Sequence, residues 1–519
     1  MPTFRLAEAR GLARLAVGLP AFLRDRLSYD DAARLVANGV ARRGERFVAK
    51  LERAVFGHPS SPYLALARSA GCELGDLREL VRADGVEATL EVMRRAGIYV
   101  TWGELRGRRP AVRGSRSFAF RWGEFDNPFV RPQYHSTSGG SSGAPTRVGL
   151  DLEHDAQSAP TWAVLFRAHG LENSPLAFWT PTHAGVVSRF LKCSKFGKDL
   201  EKWFAMARVK AFEDRARSAV VYGLARLCAG YPRPEDAPLA QADRVLAYLF
   251  RRLEDGVQPV LNTSPSAAAL LSGMARERGR SLAGVCFLLG AEPVTPARRR
   301  TIEASGAKTV ATYGTSEAGW IGAQFPGSGE PDEVHLFSDA YAVIANGSGE
   351  GPRPLLFTGL RPAAPKVLLN AEIGDSGVIE TAPTGSPAEA YGYGTRLHNI
   401  RSFRKVTVWG TTFAVADLEG IVEEHLPSCF GGAPTDYQLL ELEDEHGKPV
   451  LKLLVSPSVG AVDEEAMKRA FFAKMSRGKA SYRFMAEEVR SMDTLSIERR
   501  KPEATQRGKI VAVVPKRAA

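Results

Sequence analysis

The chain's 519 residues are 44% hydrophobic and 24% charged, an ordinary globular composition with length for a large core and more than one domain. Its apolar runs, such as Val285 to Leu289, are far too short to span a bilayer, and five scattered cysteines with no CxxC pair exclude a disulfide framework or a zinc knuckle. The net charge of +11 rests mostly on dispersed Arg, without the aromatic platform or helix-turn-helix pattern of a nucleic-acid reader, so a nucleic-acid partner is not expected and small anionic substrates are.

Leu12 to Leu23 is broken by Arg14 and Pro20 and reads as a short amphipathic helix rather than a signal peptide, so a cytoplasmic location is expected. Residues 1 to 110 read as helical, because Ala32–Val36, Phe47–Val55 and Val92–Ala96 all repeat apolar residues at three- and four-residue intervals. From 148 to 380, helical stretches alternate with β-like runs at Ala177–Thr180, Gly284–Leu289, Thr309–Tyr313 and Leu355–Thr358. A helix over Pro296–Ala304 between two of these predicts a βαβ unit and a partly parallel sheet. Thr381–Tyr393, rich in Pro, Gly and Ala, reads as a loop.

Past residue 402 the pattern changes. Lys405–Gly410 is a strand ending in glycine, and Asp417 is placed to cap a helix with Leu418, Ile421, Val422 and Leu426 on one face. Tyr437–Leu442 and Val450–Val455 flank Asp444-Glu-His-Gly447 as a hairpin, and a helix over Glu464–Met475 follows. The expected fold class is therefore α/β: a large N-terminal domain over 1–402, helical over 1–110, and a small α+β C-terminal domain over 403–519.

Three glycine-containing segments carry chemistry. Ser138-Gly-Gly-Ser-Ser-Gly-Ala-Pro-Thr146 packs three glycines and three serines into nine residues. Such a loop turns backbone N–H groups and small hydroxyls around an anion, although a flexible surface loop has the same composition. Gly290-Ala-Glu-Pro293 follows the Val285–Leu289 strand directly, either as a ligand-facing strand end or as a plain strand-to-helix turn. Tyr313-Gly-Thr-Ser-Glu-Ala-Gly319 also follows a β-like run. There Tyr313 offers a flat face to a purine, Ser316 a donor to a phosphate and Glu317 a hard oxygen to Mg²⁺; the plainer alternative is a Gly-containing turn with a solvated Glu.

The order of these segments, followed by Gly374-Asp375, Arg401 and Gly508-Lys509, resembles the adenylate-forming superfamily of acyl-CoA synthetases, peptide-synthetase adenylation domains and luciferases. Within it the chain is most similar to the phenylacetate–CoA ligase-like branch, whose phosphate loop often ends in Pro-Thr, as at Pro145-Thr146. The resemblance spans residues 60 to 515. It implies the adenylate-forming fold and an ATP- and Mg²⁺-dependent carboxylate–CoA ligase that works through acyl-AMP and releases pyrophosphate.

By that resemblance, Ser141, Ser142, Gly143 and Thr146 would lie along the ATP phosphates. Ala291, Glu292 and Pro293 would border the adenine, and Tyr313 would stack on it beside Gly314. Ser316 would contact the α-phosphate, Glu317 would hold Mg²⁺, Asp375 would accept from the ribose hydroxyls, and Arg401 would add a contact to ribose or phosphate. Lys509 would be the catalytic lysine of a mobile C-terminal domain. The co-substrates implied are ATP, coenzyme A and a small carboxylic acid, and the helical N-terminal region is of a kind that supports a homodimer in relatives. One departure stands out: relatives carry an acidic pair two and three residues after the arginine, where this chain has Phe403 and Arg404. An acyl-carrier protein, a protein cysteine or an amine therefore stays open as the acyl acceptor, and a catalytically inactive nucleotide-binding scaffold of this fold is the alternative from a different class. His183, Trp179, Phe190 and Trp320 lie near the implied acyl pocket and read equally well as core, so none is assigned a catalytic role.

Overall fold

The structure is a computed structural model that describes residues 6–137, 147–182, 184–208, 212–348, 351–402, 405–477, 486–487, 489–504 and 510–516. Its N-terminal part is helical, as the periodicity predicts. In the helix Leu6–Arg24, Leu15, Leu19 and Phe22 recur every three or four residues and are buried. The next helix, Tyr29–Ala41, starts at Ser28, whose hydroxyl accepts from the Asp31 amide. The Phe47–Val55 stretch divides into an α-helix, Arg43–Lys50, and a π-helical turn, Leu51–Phe56, which keeps Leu51, Ala54 and Val55 buried.

A 12-stranded sheet organises the chain. One half is parallel, in the spatial order Glu235–Asp236, Leu200–Arg208, Leu176–Thr182, Val260–Thr263, Cys286–Leu289 and Lys308–Thr315. Helices Ala184–Lys195, Phe212–Ala229, Ala242–Glu254, Pro265–Glu277 and Pro296–Glu303 make the crossovers. The central strands Val260–Thr263 and Cys286–Leu289 are buried at every residue, as a sheet covered on both faces requires. The βαβ unit expected around the Pro296 helix is therefore present.

The other half is antiparallel, in the order Gly319–Ala323, Val334–Leu336, Arg396–Ser402, Ala371–Glu380, Arg353–Gly359 and Tyr341–Ala345. The seam is Lys308–Thr315. Its residues Lys308–Ala311 pair in parallel with Cys286–Leu289, whereas Thr312–Thr315 pair antiparallel with Gly319–Ala323. Strand pairing thus changes sense where Tyr313 stands.

After residue 402 a hairpin, Lys405–Val408 with Thr411–Ala414, precedes a separate four-stranded sheet of Leu495–Glu498, Pro449–Val455, Tyr437–Glu443 and Val513–Val514. The expected Tyr437/Val455 hairpin is present, as is the helix Glu464–Arg477. Leu418, Ile421, Val422 and Leu426 are buried together, as expected. Asp417 lies inside the helix Val415–Glu419 rather than at its cap, because the strand Thr411–Ala414 runs straight into that helix. Thr381–Tyr393 contains only the 3₁₀ turn Pro387–Tyr391. Among the described residues, no helix is long and apolar enough to cross a membrane.

Candidate active site

Gly290-Ala-Glu-Pro293 leaves the end of the buried strand Cys286–Leu289. The Gly290 amide donates to Thr263 O at 3.2 Å, tying the turn to the neighbouring strand. A Cβ on Gly290 would meet Thr312 Oγ1 at 2.9 Å, so only glycine fits beside the seam. Ala291 has φ 71°, a left-handed conformation that costs a non-glycine residue about 1–2 kcal/mol. Strain of that kind collects where backbone is held for a purpose.

Glu292 is buried in a polar network. It accepts from Ser266 Oγ at 2.8 Å, pairs with Arg298 at 2.7 Å and receives the Gly410 amide. Arg298 reaches on to Glu443 at 3.0 Å and donates to Gly447 O at 3.0 Å. The turn after the Cys286–Leu289 strand is thus bonded directly to the structure that follows residue 402.

The second segment is the tight hairpin between Lys308–Thr315 and Gly319–Ala323. A Cβ on Gly314 would lie 2.5 Å from Gly319 O, and Gly319 itself has φ 82°. The hairpin leaves Ser316 exposed and buries Glu317 to 5% exposure. Tyr313 donates its hydroxyl to Asp375 Oδ2 at 2.8 Å, joining the seam to the antiparallel strand Ala371–Glu380 across 62 residues of sequence. Burial pushes the Asp375 carboxyl up from its ordinary value, with Lys405 and the Tyr313 hydroxyl acting the other way. Its neighbour Gly374 has φ 97°, and a Cβ there would meet the Trp102 ring at 3.1 Å.

Glu317 has a partner the sequence does not advertise. Arg106, just past the helix Trp102–Leu105, forms an ion pair with Glu317 Oε1. Its guanidinium lies 4.3 Å from the centre of the Trp122 ring, an arrangement that adds cation–π attraction and holds it flat. Arg401 pairs with Asp332 at 2.6 Å through one terminal nitrogen, while its buried Nε has no partner among the described residues. Ser376 stands opposite Arg401 in the strand register, so Asp375 and Arg401 sit on adjoining rungs.

The structure therefore gathers Gly290, Ala291, Glu292, Pro293, Tyr313, Gly314, Ser316, Glu317, Asp375 and Arg401 on the seam and the strands beside it. Ser141, Ser142, Gly143, Thr146, Lys509, His183 and Phe403 lie outside the described residues. The strands Tyr134–Thr137 and Arg147–Leu150, which bracket the Gly/Ser segment, pair antiparallel. Trp179 and Phe190 are core residues, and Trp320 stacks on Trp162 with centroids 3.3 Å apart.

A buried polar cluster lies behind the hairpin. Asp155, fully buried, accepts from the Tyr134 hydroxyl and from Ser188 Oγ at 2.6 Å, and Lys192 Nζ stands 3.6 Å away. Burial pushes the Asp155 carboxyl up to about 6 and holds the His154 imidazole well below its usual range. His154, Asp155 and Lys192 fall in apolar-rich helices with no motif around them, which hides them in the sequence.

This is the fold of the adenylate-forming enzymes. No protein-family model matches the chain, and no curated protein matches it. Among solved structures, 2-hydroxyisobutyryl-CoA ligase in complex with 2-HIB-AMP and CoA is similar over 92% of this chain and 89% of that one, at 15% identity and a TM-score of 0.56. An amide bond synthetase from Marinactinospora thermotolerans is similar over 93% of this chain and 98% of that one, at 13% identity and a TM-score of 0.41. The first likeness shows a common fold.

Proposed function

We propose that the protein is an AMP-forming ligase of the phenylacetate–CoA ligase-like kind. It would activate a carboxylic acid with ATP as acyl-AMP, release pyrophosphate and pass the acyl group to coenzyme A. The observation that carries this reading is the convergence of Asp375, from the strand Ala371–Glu380, with Tyr313 and Glu317 of the seam hairpin 62 and 58 residues earlier in the chain. The fold shared with a ligase that binds 2-HIB-AMP and CoA supports it.

Asp375, an acceptor when ionised, suits the ribose hydroxyls, and its bond to Tyr313 orients the tyrosine ring for the adenine. Gly290 and Ala291 offer backbone at close range to the base. Ser316, exposed at the hairpin tip, would donate to the α-phosphate. With Oε1 paired to Arg106, Glu317 has a second oxygen for Mg²⁺, a cation that takes one or two carboxylates beside phosphate oxygens and water. That ion would neutralise the growing charge on the phosphates. Arg106, paired with Glu317, adds positive charge of its own beside the phosphates. Lys509 would meet the acid and the α-phosphate, carried by a C-terminal domain over 403–519 that rotates between the two half-reactions.

Phe403 and Arg404 at the expected hinge favour a second reading, in which a carrier-protein thiol, a protein cysteine or an amine receives the acyl group. The test is pyrophosphate release with a panel of aryl and aliphatic acids, with and without CoA. Acyl-AMP alone followed by acyl-CoA on adding the thiol supports the ligase. Acyl-AMP that persists in the presence of CoA moves the assignment to another acceptor.

A further inference from the structure

The helix Ala184–Lys195 returns over the parallel strands from the end of Leu176–Thr182 and buries Val186, Val187, Phe190, Leu191 and Cys193. Three cations interrupt this apolar surface, and the last of them, Lys195, is taken up by Asp25 at 2.7 Å. Arg189 and Lys192 are three residues apart, which puts them on one helical face. Lys192 finds Asp155 at 3.6 Å and His154 Nε2 at 3.4 Å.

Arg189 has no such partner. Among the described residues its guanidinium makes one hydrogen bond, to the neutral Asn262 Oδ1 at 3.5 Å, and no carboxylate pairs with it. Protein surrounds the group closely enough to push its pKa down, yet the residue keeps partial exposure. An arginine remains charged at neutral pH, and a buried charge without a counter-charge is costly. Such a group is expected where an anion arrives from outside.

Its position says which anion. Asn262 lies opposite Leu288 in the parallel register and donates to Leu288 O at 3.2 Å. The next pair, Thr263 and Leu289, leads straight into Gly290. The residue that Arg189 touches therefore lies two rungs before the Gly290-Ala-Glu-Pro293 turn, near the carboxyl ends of parallel strands, where α/β folds bind ligands. Asp155 is taken by Tyr134, Ser188 and Lys192, and does not pair with Arg189.

We infer that Arg189, backed by Lys192 and Asn262, receives a second anionic group on the acyl part of the substrate, so that dicarboxylic acids are the preferred class. The inference rests on the acyl-adenylate reading. A planar guanidinium with free donors matches a carboxylate bidentately, whereas a neutral acyl chain would leave it desolvated and unpaired.

The experiment is acid-dependent pyrophosphate exchange with matched pairs, succinate against butyrate and terephthalate against 4-methylbenzoate, in wild type, Arg189→Met and Arg189→Lys. Thermal shift with each acid and with ATP is read in parallel. The expected result is a wild-type preference for the diacid of one pair, lost by about a hundredfold in kcat/KM in Arg189→Met. The methionine variant is expected to leave the matched monoacid and ATP binding unchanged, and the lysine variant to fall between. If Arg189→Met fails to fold, the wild-type preference and the lysine variant decide. Equal or better use of monoacids by wild type overturns the inference and leaves the ligase reading intact. Weakened ATP binding in Arg189→Met assigns the guanidinium to nucleotide phosphates and also overturns it. No exchange, with a diacid shift abolished in Arg189→Met, keeps the anion site and overturns adenylation; no exchange and no diacid shift overturns both.

Discussion

Glu317 and Arg106 form an ion pair in which the side chains are 6% and 12% exposed. Removing one member of such a pair strands a buried charge, so Arg106→Met is expected to cost about 3–5 kcal/mol in urea unfolding. Adding Glu317→Gln to that variant should return most of the loss, since the stranded charge goes with it. Tyr313→Phe removes the hydroxyl that Asp375 accepts while keeping the ring, with an expected cost of about 1–2 kcal/mol and a raised KM for ATP. Tyr313, Glu317 and Asp375 were legible because each sits in a short glycine-punctuated segment whose chemistry is local. Arg106 was not: 211 residues separate it from Glu317, and Trp-Gly-Glu-Leu-Arg reads as any helix end. Arg189 was hidden in the same way, since what marks it is the lack of a carboxylate partner among the described residues.

The helix Arg43–Lys50 is pinned to the strand Arg353–Gly359 by Lys50, whose ammonium donates to Gly359 O at 2.5 Å. Burial pushes the Lys50 pKa down to about 7 from 10.5. Between those values the unfolded chain holds a proton that the folded chain has released, so stability rises with pH across this window. The slope from this group is at most about 1.4 kcal/mol per pH unit, and Lys50→Met should remove it from a comparison of unfolding free energies at pH 7 and pH 9. At the hairpin, Gly314→Ala puts a methyl 2.5 Å from Gly319 O and must spread the two strands. A fall in the melting temperature, together with a loss of pyrophosphate exchange as Ser316 and Glu317 move, is the expected outcome. The strands and the Pro296 helix were visible as apolar runs between breakers. The change of pairing sense within Lys308–Thr315 was not, because it depends on which strands flank each half of the seam.

Arg298 connects the large sheet to the smaller one. It is 4% exposed and lies between Glu292, beside the strained Ala291, and Glu443 of the C-terminal sheet. Arg298→Met should therefore accelerate hydrogen exchange at Gly410, whose amide donates to Glu292, by about tenfold or more, while Leu288 in the central strand is unchanged. The change of pattern past residue 402 was legible in the sequence, whereas this contact across it was not, since a lone Arg in Pro296–Glu303 carries no mark of its role. The central claim, that the seam residues serve acyl-adenylate formation, is tested most directly by acid-dependent exchange of labelled pyrophosphate into ATP, with wild type beside Asp375→Asn and Glu317→Gln. Exchange with at least one class of acid, reduced by about a hundredfold or more in both variants, is the predicted result. ATP binding without exchange for any acid, or exchange that survives both substitutions, would contradict it.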